Sequence, residues 1–229
     1  MQIPSWPVYS QALIVFMTTP SNTRAPSEFV SEAYGLKDDE KMVDFYRKWA
    51  DDYDHQMLVE LGYTSPITIA QLLNEHLPDK DARVFDIGCG TGLTCTFLHQ
   101  QGYRNLVGID LSPDMVRVAQ DRGIYAQVMV GDLNLPLEIA DAGYDAAISS
   151  GTFTHGHVGP EPLDEIFRIL RPGGILACTV HLDLWQSKGF EEKFNSLVDT
   201  GTIECLHLEQ DKYYETGDLE GWFCVYRKL

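Results

Sequence analysis

One stretch limits what this chain can fold into more than any other: Val84-Phe85-Asp86-Ile87-Gly88-Cys89-Gly90-Thr91-Gly92-Leu93. The short apolar run reads as a buried strand carrying one acid, and the residues from 93 to 101 read as a helix. Between them, glycines occupy alternate positions 88, 90 and 92. Glycine lets the backbone turn sharply and lets a ligand approach it without side-chain interference. In an open α/β sheet this kind of strand-to-helix turn is where ligands bind.

The rest of the chain supplies such a sheet. Strands are expected over 83–87, 106–109 (ending in Asp110), 126–130, 144–149 and 175–180, the last after the turn Arg171-Pro172-Gly173-Gly174. Crossover helices are expected over 93–101, 113–122 and 162–170. This regular alternation predicts a parallel sheet with helices on both faces. A helix over 184–198 follows, then two strands over 202–208 and 222–227, antiparallel to each other. Upstream, residues 38–61 read as a helix with Phe45, Trp49, Tyr53 and Met57 four apart, and 66–76 as a second. Residues 1–36 carry Pro4, Pro7, Pro20 and Pro26 and read as an extended or flexible lead-in. Its apolar run at 13–16 is open to two readings, contact with a partner, as in a homodimer, or docking on the domain itself. The expected organisation is this lead-in followed by one domain, 37–229, with helices in 37–80 and the α/β core in 81–229.

Net charge narrows the partners. At -17, the chain lacks the basic surface that neutralises phosphates, so neither nucleic acid nor an anionic membrane is the expected partner. The five cysteines, an odd number with no CxxC pair, read as free thiols in a reducing compartment. No apolar run has the length of a membrane span. The run at 12–17 has no Lys or Arg before it, unlike a signal peptide. A cytoplasmic location is expected.

The glycine turn admits two ligands, a dinucleotide or S-adenosylmethionine. A dinucleotide loop follows G-x-G-x-x-G/A, and Leu93 stands where the third small residue belongs. Asp110 closes the second strand twenty residues past Gly90, where a carboxylate accepts from vicinal ribose hydroxyls of either ligand. Ser112 with Pro113 reads as the cap of the next helix.

The run Asp86-x-Gly88-x-Gly90-x-Gly92 resembles motif I of the class I S-adenosylmethionine-dependent methyltransferases. Gly108-Ile109-Asp110-Leu111-Ser112-Pro113-Asp114-Met115 is similar to their second motif, and Gly131-Asp132-Leu133 to the next. Tyr46-x-x-Trp49-Ala50-x-x-Tyr53-Asp54 resembles a helix that lies across the cofactor as a lid. Among subfamilies the chain looks most like the Williams–Beuren-syndrome-type methyltransferase-like proteins. The resemblance covers residues 40 to 229 and implies an α/β, Rossmann-like, doubly wound, seven-stranded and mostly parallel sheet, with an antiparallel C-terminal hairpin and an N-terminal helical lid. It implies S-adenosylmethionine as cofactor and S-adenosylhomocysteine as product. The cofactor-binding residues it implies are Tyr46, Trp49, Tyr53, Asp86, Gly88, Gly90, Asp110, Leu111, Met115, Asp132, Leu133 and Ser149. Leu111 and Met115 would sandwich the adenine, and Asp132 would accept from its amino group.

The departure from the family pattern is the loop after the fourth strand, Gly151-Thr152-Phe153-Thr154-His155-Gly156-His157-Val158-Gly159-Pro160. His155 falls on the family's histidine position, and a group titrating near neutrality can take a proton from an acceptor hydroxyl or amine. It is the candidate general base. His157, His181, Trp185 and Tyr213 are the candidate substrate contacts, and no metal site is expected. The expected reaction is in-line methyl transfer to O, N or S of a small molecule. The rivals are a nicotinamide oxidoreductase, an S-adenosylmethionine-binding cyclase or isomerase, and a non-catalytic nucleotide-binding scaffold.

Overall fold

The computed structural model describes residues 39–154, 158–216 and 218–229, with Glu32 and Leu36. The rest of the lead-in, including the run at 13–16, lies outside the described residues, as do Asp38, His155 and His157.

Seven strands form one sheet. In chain order they are β1 (Arg83–Ile87), β2 (Asn105–Asp110), β3 (Gln127–Val130), β4 (Tyr144–Phe153), β5 (Leu170–His181), β6 (Ile203–Lys212) and β7 (Glu220–Lys228). Their spatial order is β3-β2-β1-β4-β5-β7-β6. The first five are parallel, and β7 runs antiparallel to both β5 and β6. The helices are α1 (Asp39–Trp49), α2 (Ser65–His76), α3 (Leu93–Gln100), α4 (Pro113–Asp121), α5 (Pro162–Ile169), α6 (Leu182–Ser187) and α7 (Phe190–Asp199). The first five strands form the parallel sheet that the alternation predicts, and the whole is the doubly wound, Rossmann-like, seven-stranded sheet with an antiparallel C-terminal hairpin that the resemblance implies.

A central parallel strand is covered on both faces, so it reads as a nearly unbroken apolar run. β1 shows this: Val84, Phe85, Asp86 and Ile87 are all buried. Successive side chains point to opposite faces. Val84 enters the layer built with Leu73 of α2 and Leu98 of α3. Phe85 and Ile87 enter the opposite layer, with Phe167 of α5, Trp185 of α6 and Phe194 of α7. α4 packs Val116 and Ala119 against Cys89 and Val128. Ser112 accepts from Met115 N at 3.4 Å and caps α4, as the sequence predicts.

Two expected helices are divided. The one expected over 38–61 ends as α1 at Trp49. After residues 50–52 the chain makes a short turn, Tyr53–His55, and a π-helical turn, Gln56–Glu60. The buried Trp49 indole N–H bridges the break to Gln56 Oε1 at 2.7 Å. The helix expected over 184–198 becomes α6 and α7, separated by Gly189 at φ +82°. A left-handed residue cannot continue a helix.

Candidate active site

Going from β1 to β3, each strand is added on one side. β4 then returns to the other side of β1. At such a reversal, adjacent crossovers leave a crevice beyond the carboxyl ends of the strands. A cleft with about 980 Å³ of empty space, open solvent included, opens here. Its floor is the glycine turn. Gly88 has φ +63°, and a Cβ there would lie 2.3 Å from Thr152 Oγ1, so the turn packs directly on β4. Gly90 has φ +53°, and a Cβ on it would meet nothing within 4 Å. Its bare backbone faces the opening.

One half of the cleft lies over β2 and β3 and is lined by Asp110, Leu111, Ser112, Met115, Asp132, Leu133 and Asn134. Asp110 accepts from Gly90 N at 2.8 Å and from Ser112 N at 2.9 Å. Burial pushes its carboxyl above the ordinary range, and the Ser112, Gly90 and Leu111 N–H groups pull it back. Asp132 accepts from Asn134 N at 2.8 Å and from Asn134 Nδ2 at 3.0 Å, which fixes its loop. Met42, Val43 and Tyr46 of α1, with Tyr53 after it, form the facing wall.

The other half lies at the end of β4 and carries hydroxyls. Tyr63, Ser150, Gly151 and Thr152 line it, with Pro66 and Val158. Ser150 Oγ lies 3.3 Å from the Tyr63 hydroxyl and 2.7 Å from Ser65 Oγ. Burial pushes the Tyr63 phenol up, and its hydroxyl neighbours moderate the rise, so it keeps its proton; either hydroxyl of the Tyr63–Ser150 pair can donate. The β6–β7 loop holds this tyrosine in place. Tyr63 bridges Tyr214, and the Tyr213 carbonyl accepts from Thr64 N and Ser65 N at 2.9 and 3.2 Å.

Comparison with known proteins fits this geometry. A family described as a methyltransferase domain matches residues 85–178, from β1 into β5. Human methyltransferase-like protein 27 is 31% identical over 183 residues, covering 77% of this chain and 74% of that protein. The chain belongs to the class I S-adenosylmethionine-dependent methyltransferases. A bovine 18S rRNA (guanine-N(7))-methyltransferase is 42% identical over a shorter stretch of 71 residues, 31% of this chain and a quarter (25%) of that protein. The crystal structure of an S-adenosylmethionine-dependent methyltransferase from Mesorhizobium loti superposes with a TM-score of 0.53 at 18% identity, covering 69% of this chain and 96% of that one. That likeness is one of fold.

The cofactor of this methyltransferase is S-adenosylmethionine. The residues fit it: an open backbone at Gly90, an acceptor carboxylate at Asp110 and apolar side chains at Leu111 and Met115 all face one cleft. Of the residues expected to contact cofactor, Tyr46, Tyr53, Gly88, Gly90, Asp110, Leu111, Met115, Asp132 and Leu133 line the cleft.

The structure places six other expected contacts behind the wall rather than on it. Trp49 is buried against Phe45 and Tyr53. Asp86 is buried beneath the turn and accepts from the Tyr125 hydroxyl at 2.6 Å. Ser149 points into the sheet and donates to Ile87 O at 2.8 Å, so strand alternation presents Ser150 instead. His181 caps α6, its Nδ1 accepting from Asp183 N at 3.2 Å. Trp185 stacks on Phe194 and lies tilted against Trp222. Tyr213 is buried edge-on to Phe223 and touches the site through its carbonyl. Sequence reading missed Tyr63, Ser150 and Thr152, which chain separation hides: Tyr63 and Ser150 stand 87 positions apart.

Proposed function

We propose that this methyltransferase acts on a small-molecule acceptor held at the Tyr63–Ser150 end of the cleft. The observation that carries the reading is the shape of that cleft: a carboxylate-bearing half over β2 and β3, continuous with a hydroxyl-lined half at the tip of β4, and α1 across one side. The net charge of -17 supports a small acceptor over RNA, although one relative carries an rRNA activity in its name. When bound, S-adenosylmethionine supplies an electrophilic methyl group on its sulfonium.

In this reading Asp110 accepts from the ribose hydroxyls, and Leu111 and Met115 flank the adenine. Asp132 accepts from the adenine amino group, and Tyr46 and Tyr53 close over the opposite side. Asp86, Trp49 and Ser149 support that site from behind. Tyr63 and Ser150 orient the acceptor heteroatom. Among the described residues the acceptor end offers hydroxyls and no carboxylate, lysine or histidine. His155, which falls on the family's histidine position in the sequence, is the proposed acceptor of a proton released from the substrate, and His157 a proposed substrate contact. Alignment is the larger contribution and can be worth roughly 7–11 kcal/mol. The five free cysteines suit a reducing, cytoplasmic setting, and no helix among the described residues is long and apolar enough to cross a membrane.

The test incubates the protein with S-adenosylmethionine labelled on the methyl group and fractionated cell extract. Label in the small-molecule fraction, absent with Asp110→Ala, is the expected result. Label confined to RNA or to protein overturns the small-molecule reading.

A further inference from the structure

Between the wall and the floor of the cleft lies a polar cluster that touches no part of the opening except through Thr91. Asp54 follows Tyr53, a wall residue, and Thr91 stands between Gly90 and Gly92 on the floor. Thr91 Oγ1 donates to Asp54 Oδ1 at 2.6 Å. Arg122, the residue after α4, donates through Nη2 to Asp54, through Nε to the Thr91 carbonyl, and through Nη1 to Thr96 Oγ1 at 3.2 Å. One guanidinium thus ties together the turn after α1, the glycine loop and α3. Its side chain is 17% exposed and that of Asp54 23%. By contrast a second ion pair nearby, Arg117 with Asp51, is 50% and 75% exposed, a setting in which ion pairs contribute little.

We propose that Arg122 is a positioning residue for cofactor binding, and that Asp54, Thr91 and Arg122 form a latch holding the Tyr53 wall against the glycine floor. A ligand lodged between the two surfaces contacts both only while they stay together. If they are not held together beforehand, binding must also order the wall, and affinity falls by that cost. Arginine is suited to the position because its planar fork reaches a carboxylate, a carbonyl and a hydroxyl at once, which a lysine ammonium cannot.

The experiment measures dissociation of S-adenosylmethionine and S-adenosylhomocysteine from the full chain by stopped-flow, with affinity from calorimetry. Variants are Asp54→Asn, Arg122→Met, their double, Arg122→Lys, and Asp51→Asn as the control pair. Expected is an affinity loss of about tenfold in either single variant, carried by faster release. The double should lose less than the sum of the two singles, because both residues belong to one network. Arg122→Lys should fall between, and Asp51→Asn should match the wild type. A lowered melting temperature with both affinities within twofold of wild type would show a purely structural ion pair and overturn the latch. Losses that simply add in the double would overturn it too.

Discussion

Gly90 N donates to Asp110 Oδ2 at 2.8 Å, so the carboxylate that faces the cleft also fixes the middle glycine of the turn below it. Asp110→Ala therefore removes a brace and, in the role proposed for it, a ligand acceptor. Hydrogen bonds to a charged group are worth about 1.5–3 kcal/mol, and about 1.4 kcal/mol is tenfold in affinity. Calorimetry should show affinity for S-adenosylhomocysteine falling by about one to two orders of magnitude. Asp110→Asn, which keeps one acceptor oxygen, should lose less. Equal affinity in wild type and Asp110→Ala would remove Asp110 from the site.

The glycines at 88 and 90 differ in what a methyl group would meet, so alanine at each should fail differently. Both sit at positive φ, +63° and +53°, where an L-residue costs about 1–2 kcal/mol. In a chain of this size each kcal/mol shifts Tm by about 2–4 °C. Gly90→Ala should fold with a Tm loss of about 2–8 °C and bind cofactor poorly, because the new methyl projects into the opening. Gly88→Ala adds overlap with Thr152 and should lose markedly more Tm. Thermal melts with and without S-adenosylhomocysteine separate the two. Similar melts and similar binding would contradict this account of the turn.

What the sequence made legible follows local signals. Each central strand announces itself because burial on both faces demands a continuous apolar run, and the glycine turn because no other residue fits its backbone. The division at Gly189 also had a local signal, a lysine followed by glycine, the usual end of a helix. The break at residues 50–52 had none, since neither glycine nor proline stands there. Tertiary contacts impose it: Phe45 and Trp49 go into the core while Asp54 is drawn to Thr91 and Arg122. The site was half legible for the same reason. Asp110, Leu111 and Met115 belong to one short motif, whereas Tyr63 reaches the cleft only because the distant β6–β7 loop pins its backbone. Asp86 stands in the motif yet serves from beneath, which its sequence position alone does not reveal.

Tyr63 and Ser150 sit away from the carboxylate half of the cleft, so removing the phenol hydroxyl should separate binding from transfer. Tyr63→Phe should hold affinity for S-adenosylhomocysteine within twofold of wild type. Methyl transfer into the labelled acceptor fraction should slow about 2- to 13-fold, as expected for one neutral hydrogen bond of about 0.5–1.5 kcal/mol. Cofactor affinity falling in step with transfer would place Tyr63 on the cofactor side instead.

Asp86 gives a pH signature that can be isolated. Burial pushes its carboxyl from 3.8 up to about 6, with the Tyr125 hydroxyl pulling the other way. A raised acid holds its proton more tightly in the folded state. Below about pH 4 both states are protonated and Asp86 contributes nothing to the pH dependence. As pH rises from about 4 to 6, the unfolded chain releases the proton first and stability is lost. Above about pH 6 the penalty is complete. At about 1.36 kcal/mol per pH unit, the gap between 3.8 and about 6 amounts to about 3 kcal/mol. Other carboxylates act in the opposite sense, such as Glu165, which its hydrogen bond with Arg168 holds low. The measurement is therefore a difference between wild type and Asp86→Asn, in which their contribution cancels. Urea unfolding at pH 4 to 8 should show the asparagine variant gaining on the wild type up to about pH 6 and then running parallel to it. A difference that stays flat across that range would mean that Asp86 ionises as an ordinary carboxylate, and that its burial beneath the glycine turn carries no electrostatic cost.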